Sequence, residues 1–207
     1  MNINESTGGE DEEESIGGVV DEPEKGEEED SPGDVTGSDK TQLLNHINSH
    51  RATHEVGQVR WDNGQEIIAR GAVAEICRGI KGHQPGRLHH KGKFSSKTSL
   101  YSTTKVCKGV SCMKKAIDEF MSERDRFCSW GLYGASRRAV NAATREHAWP
   151  IGHFTHMVWK SHDKFGAAWM YCPCGLSRRG NTIVAVANTG GKAGGDYKDN
   201  VFPGNTC

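Results

Sequence analysis

Residues 152–161 read Gly-His-Phe-Thr-His-Met-Val-Trp-Lys-Ser. Phe154, Met157 and Val158 stand at i, i+3 and i+4, so on a short helix they make one apolar stripe. His153 falls at the start of that turn, where its imidazole can face a cleft while the stripe faces the core. His156 sits beside the stripe, a position that more often belongs to a structural histidine than to a ligand.

Working outward, the stretches 166–172 (Gly-Ala-Ala-Trp-Met-Tyr-Cys) and 181–187 (Asn-Thr-Ile-Val-Ala-Val-Ala) read as two strands behind that helix. Three longer helices are expected before it. The first covers 41–54, with Leu43, Leu44, Ile47 and His54 on one face and Asp39 or Thr41 as its cap. The second covers 63–78, with Ile67, Ile68, Ala72 and Ile76 along it. Gly64 and Gly71 each weaken this helix by about 1 kcal/mol relative to Ala. The third covers 112–127, with Met113, Ala116, Ile117, Phe120 and Met121 on its apolar side and Ser111 as cap. Residues 79–110 are rich in Gly, Lys and Ser and read as irregular, with a short strand near 99–103, and 128–151 reads as a long loop. Helices on both sides of a small sheet make an α+β chain, a three-layer α/β/α sandwich.

Charge divides the 207 residues into two parts. Residues 1–40 hold 15 Asp or Glu against two Lys, a net of −13. Residues 41–207 hold 24 Lys or Arg against 12 acids, a net of +12, and all ten His. The first part has too few apolar residues to offset the entropy of ordering, so 1–40 is expected to be a disordered acidic tail and 41–207 one domain. No run of 18 apolar residues occurs, so no membrane-spanning helix is expected. The first residues show neither the basic nor the apolar region of a secretory signal. Seven cysteines are present, an odd number. With no export signal they read as free thiols in a reducing, intracellular setting, and no disulfide is expected. Two thiolates at Cys172-Pro-Cys174 fall short of a four-ligand structural zinc site. The basic residues are scattered and lack the aromatic interleaving of a nucleic-acid platform, so an anionic lipid surface fits the body better than nucleic acid.

The 152–160 segment resembles the signature of the CAP superfamily, the cysteine-rich secretory proteins, antigen 5 and pathogenesis-related 1 proteins, in which it reads G-H-[FY]-T-Q-[VM]-V-W-[KR]. His156 stands where the family usually has Gln. The first helix resembles the family's A-H-N-x-x-R-x-x-H at Asn48, Arg51 and His54, with Ile47 in place of the family's His, and Trp61-Asp62 matches a frequent Trp-Asp pair. The ending Gly-Gly-Asp-Tyr-Lys-Asp-Asn-Val-Phe-Pro resembles the intracellular, Golgi-associated branch of the family.

The resemblance implies a cleft lined by two His and two Glu. Carried over by position, His153 is one His, and the other lies in Leu88-His89-His90, as His90 or, with the register slipped by one, His89. Glu123 matches one Glu, with Phe120 replacing the family's nearby Trp. The other Glu falls at Thr98 and is lost. Family cysteines on two strands are replaced here, one by Ala167, which again implies thiols. Two imidazoles and a carboxylate can hold zinc with a position open. The expected function is a non-enzymatic binding module with no required cofactor. It associates peripherally with anionic lipid, on Golgi or other membranes, and takes sterol or fatty acid. The alternatives are a zinc-dependent hydrolase or protease at the His/Glu cleft, a module acting by homodimerisation, and an extracellular location reached without a signal peptide.

Overall fold

The computed structural model describes residues 31–78, 98–103, 105–147, 151–173, 180–188 and 197–204, together with the backbone of 89–90. Most of the expected acidic tail, residues 1–30, lies outside these. Residues 31–40 do not, and they belong to the domain. Helix α1 runs Gly37–Thr53, four residues earlier than the apolar spacing marks. Its true cap is Thr36, whose Oγ1 accepts from the Asp39 N–H at 3.2 Å while Asp39 Oδ2 accepts from the Thr36 N–H at 3.0 Å. This reciprocal box satisfies the orphan donors of the first turn.

Further along the chain come β1 (Arg60–Trp61), α2 (Asn63–Cys77), β2 (His89–His90), β3 (Thr98–Thr103), α3 (Gly109–Met121), α4 (Arg124–Ser129), α5 (Arg137–His147), α6 (Gly152–Met157), β4 (Lys164–Cys172), β5 (Asn181–Asn188) and α7 (Tyr197–Asn200). The expected third helix is thus two. At its break the Ser122 hydroxyl donates to the Glu119 carbonyl at 2.7 Å, and Glu123 N–H reaches the Phe120 carbonyl at 3.4 Å. These i−3 bonds tighten and end α3. Lys108, not Ser111, occupies its N-cap position. The expected loop 128–151 contains α5, whose start is marked by Ser136 Oγ accepting from the Ala139 N–H at 3.3 Å, with Val140 buried beneath.

The strands form one sheet in the order β1-β4-β5-β3-β2; β1 runs parallel to β4 and the other neighbours are antiparallel. Alternation assigns the faces. Tyr101, Phe165, Ala167, Trp169, Val184 and Val186 join one core with Leu43 and Ile47 of α1, Met113 and Phe120 of α3 and Phe154 of α6. Leu100, Ala168, Met170, Ile183, Ala185 and Ala187 join the other, against Ala69, Ala72, Val73 and Ile76 of α2. Among the described residues one helix therefore covers one face and the remaining helices the other, giving three layers.

Small residues let α2 lie close to β4. A Cβ at Gly166 would run into the backbone of Gln65 and Glu66, at the start of α2. From Gln65 to Cys77 the helix advances about 18 Å, and from Gly166 to Cys172 the strand advances about 20 Å. Helix and strand therefore end together, and there Cys77 and Cys172 are joined in a disulfide, with Cα atoms 5.4 Å apart. A second disulfide joins Cys107 to Cys112 across the start of α3, and Cys128 is disulfide-bonded as well. These bonds correct the expectation of free thiols. The family's usual strand positions are indeed empty of cysteine, but the bond to Cys172 comes from a helix, which strand-to-strand reasoning does not consider.

Outside the sheet's β4 edge, β1 pairs at Lys164 and Phe165, and farther along Gly33 N–H donates to the Trp169 carbonyl at 3.0 Å. Arg70 holds the same segment by donating to the Pro32 and Gly33 carbonyls at 3.1 and 3.3 Å.

Three outcomes are expected. All five described cysteines are disulfide-bonded, and because a disulfide takes two, the bond of Cys128 uses a sixth; denatured, non-reduced protein should therefore show no more than one reactive thiol of the seven. Cys77→Ser, which opens a link across 95 residues of sequence, should lower the unfolding free energy in urea by about 2–5 kcal/mol. Gly166→Ala should cost about 1–3 kcal/mol by the same measurement, because the atoms it meets are helix backbone and cannot swing aside.

Candidate functional site

Helix α6 has six residues and begins after Ile151, a side chain that cannot cap it. Its first N–H groups are satisfied from elsewhere. Glu123, at the α3–α4 junction, places Oε2 at 2.9 Å from the His153 N–H and 3.1 Å from the Phe154 N–H, accepting from both. Its Oε1 accepts from His153 Nδ1–H at 2.7 Å, which fixes the tautomer of that ring. The carboxylate thus acts as a remote N-cap, with its negative charge at the positive end of the helix. Both side chains are 0% exposed. Phe120 stacks on the His153 ring at 5.0 Å and 10°, filling the place where the family has Trp.

His156, one turn later, is buried, and its Nδ1 is 2.8 Å from the Ser99 hydroxyl of β3. Its carbonyl accepts from His162 Nδ1–H and from Asn188 Nδ2–H, each at 3.0 Å. The His156 and His162 rings meet edge to face at 5.1 Å. Thr98, the position of the lost family Glu, is buried on the sheet with the parity of Leu100 and therefore on the α2 face. Ser99 is the residue of β3 that reaches α6. In the β2–β3 register His90 stands opposite Ser99 and His89 opposite Leu100; the side chains of both histidines lie outside the described residues.

The structure thus brings Glu123 to His153 and Ser99 to His156. Sequence reasoning missed Ser99, His162 and Asn188, which come from β3, the segment after α6 and β5. Ser99 is one residue from the aligned Thr98; His162 and Asn188 carry no sequence signal.

Of the three expected zinc ligands, the side chain of His90 lies outside the described residues. Both oxygens of Glu123 are taken by three N–H donors, so this carboxylate orients His153 and is not poised as a ligand. Among the described residues the cleft then offers His153 alone of the three expected ligands.

The segment after α6 is held by Arg51 of α1, itself fully buried. Its Nε donates to the Gly57 carbonyl at 2.7 Å, and its terminal nitrogens donate to the carbonyls of Met157 at 2.7 Å, Trp159 at 3.2 Å and His162 at 3.0 Å. Burial pushes its pKa down to about 10, which leaves it cationic at neutral pH. Asn48 bonds both the N–H and the carbonyl of Val59, and His54 donates Nδ1–H to the Phe202 carbonyl at 2.9 Å. Burial lowers the His54 pKa and favours its neutral form.

Comparison with known proteins adds the following. The model of the cysteine-rich secretory protein family, CAP, matches residues 44–188. A secreted protein of Candida albicans, PRY1, is 26% identical over 170 residues; the match covers 82% of this chain and 33% of that protein, so the chain spans about a third of the relative's length. Among solved structures, MpPR-1i is similar at 14% identity and a TM-score of 0.48, covering 76% of this chain and 91% of that one. Hookworm platelet inhibitor is similar at 15% identity and a TM-score of 0.46, covering 75% and 71%.

Removing the remote cap should be costly. Glu123→Ala is expected to lower the unfolding free energy by about 3–5 kcal/mol, because it strands two backbone donors and a ring N–H in the interior. A change within about 0.5 kcal/mol in a urea titration would instead mark Glu123 as an ordinary surface carboxylate.

Proposed function

The chain belongs to the cysteine-rich secretory protein (CAP) family, and from that premise we propose that its domain is a binding module without catalytic activity. It works at anionic membrane surfaces and takes sterol or fatty acid, needing no cofactor to do so. The observation that carries the non-catalytic part is the state of Glu123. A general base must reach a substrate proton, whereas this carboxylate is buried and its oxygens are spent on the start of α6 and the His153 ring. The lipid part rests on the family likeness and on charge. Lys105, Lys108, Lys115, Arg137 and Arg138 are exposed, and each cation near an anionic surface contributes about 1 kcal/mol.

The disulfides favour an oxidising compartment over an intracellular one, in keeping with a relative whose name calls it secreted. Among the described residues no helix is long and apolar enough to cross a membrane.

One observation favours a hydrolase as the second reading. The Ser99 hydroxyl and His156 Nδ1 lie at the separation of a nucleophile and its base. Both residues are buried, and the resemblance assigns neither a catalytic role.

Residues 1–30 carry 13 acids and one Lys, a net of −12, and should compete with lipid for the basic surface. The 31–207 fragment is therefore expected to float with phosphatidylserine vesicles more strongly than the full chain at low salt, and the gap should narrow near ~0.15 M, where the Debye length is ~8 Å. The same vesicles should deliver a fluorescent sterol to both forms. Equal flotation of the two forms at low salt, or no sterol uptake by either, contradicts this reading. Ester hydrolysis abolished by Ser99→Ala supports the second reading instead.

A further inference from the structure

Away from Glu123 and His153, two histidines of α1 and one aspartate of α3 converge at the helix–helix seam. His46 and His50 are four residues apart, so they share one face of α1. Leu43 and Ile47, on the buried side of the same helix, pack into the core that holds Met113, Ile117 and Phe120 of α3. That packing sets the crossing of α1 and α3 and so brings Asp118 to the histidines. Asp118 Oδ1 lies 2.8 Å from His46 Nε2 and 3.1 Å from His50 Nε2. The two rings stand 5.0 Å apart at 86°, with their Nε2 atoms turned to the same oxygen. One ligand atom from each of the three residues falls within 4.8 Å of the other two.

We propose that His46, His50 and Asp118 form a binding site for a divalent transition metal, zinc in the first instance, bridging α1 and α3. The chemistry follows from the donor set. Two imidazole nitrogens and one carboxylate oxygen suit zinc, copper and nickel, and leave positions open for water. Without metal, each Nε2–H donates to the shared carboxylate oxygen, so the two protons occupy the place of the ion. Ligand atoms about 2.1 Å from a tetrahedral zinc stand roughly 3.4 Å apart, so the contacts of His46 and His50 with Asp118 would lengthen by about 0.6 and 0.3 Å to admit it. The side chains are 25%, 28% and 52% exposed, which gives the ion a path in and keeps the residues out of the core. Binding releases the Nε2 protons, so it weakens as pH falls through the histidine range. Partial burial pushes the His50 pKa down; Asp118 opposes this, and His46 and Arg124 add to it. On α3, Lys114 lies one turn before Asp118 and donates to Gln42 of α1 at 3.1 Å.

This site is separate from His153, and neither His46 nor His50 belongs to the matched positions of the first helix. The experiment is zinc titration by calorimetry on the full, oxidised chain after chelation, with the melting temperature followed with and without zinc. The expected result is one zinc per chain and a zinc-dependent rise in melting temperature. Both should be retained in His153→Ala. Both should be lost in the double variant His46→Ala/His50→Ala, whose circular dichroism without metal should match the parent because the rings are partly exposed. Asp118→Asn should bind at least tenfold more weakly. Cobalt in place of zinc should give visible absorption without a thiolate band, which sets this site apart from any free cysteine. Wild-type affinity in the double variant, loss in His153→Ala alone, or no zinc bound by the parent chain would overturn the proposal. If the double variant fails to fold, Asp118→Asn and the single variant His46→Gln decide the matter by the same titration.

Discussion

The guanidinium of Arg51 is the interaction on which the rest of the domain depends. It is fully buried, and its donors go to carbonyls of Gly57, Met157, Trp159 and His162. The segment after α6 is irregular, and its inward carbonyls have no strand or helix partner of their own. Burying them without donors would cost about 1–3 kcal/mol each. One planar cation with five fixed N–H groups serves several of them together, as a flexible ammonium could not. Removing it would leave the α1 end, the signature helix and the approach to β4 without a common anchor.

A second economy appears at the other end of α6. That helix is too short to be stable alone and has no cap of its own, yet it carries His153 and His156 into the interior. Glu123 supplies the missing cap and a hydrogen-bond partner for one of those rings at once. Phe120, one turn before Glu123 on the adjoining helix, stacks on the same ring. The site is therefore built at the α3–α4 junction, where Glu123 stands immediately before α4 and its carboxylate meets the start of α6. A cleft feature and a fold feature are here the same residues, which is why Glu123 reads as structural even though its position is the one the family resemblance marks for function.

Much of this was legible in the chain. The apolar stripe at Phe154, Met157 and Val158 is buried along α6 and its C-cap, the two strands lie within a residue or two of their expected bounds, and α2 starts where Asp62 caps it. Asn48, Arg51 and His54 could be picked out by resemblance, but their work, binding backbone of distant segments, depends on loops that have no periodicity to read. The helix α5 was hidden because its apolar side is thin, with Val140 its one fully buried residue among those described. Ser99 was missed by a single position, and in a strand one position is the difference between two faces of the sheet. The disulfide between Cys77 and Cys172 required knowing that α2 and β4 run side by side for equal lengths. No local pattern states that.

The stretch around Gly33 has a meaning for how this molecule avoids its own kind. Strand β1 covers only the first two positions of β4's outer side, and beyond them the N–H and carbonyl groups of a long, apolar strand would lie open to another chain. Gly33 closes on Trp169 there, and it does so because it lacks a Cβ, which would strike the indole. Arg70 then clamps the segment down. A protein cut at residue 40, where its charge pattern changes, would lose the cap and first turn of α1 and Val35 from the core, and would present a bare sheet margin flanked by Trp169. Self-association through that margin is a failure such a truncation invites, beyond the stability it loses with the helix cap. The residues around Gly33, which look like the end of the acidic tail, act as the sheet's selvedge.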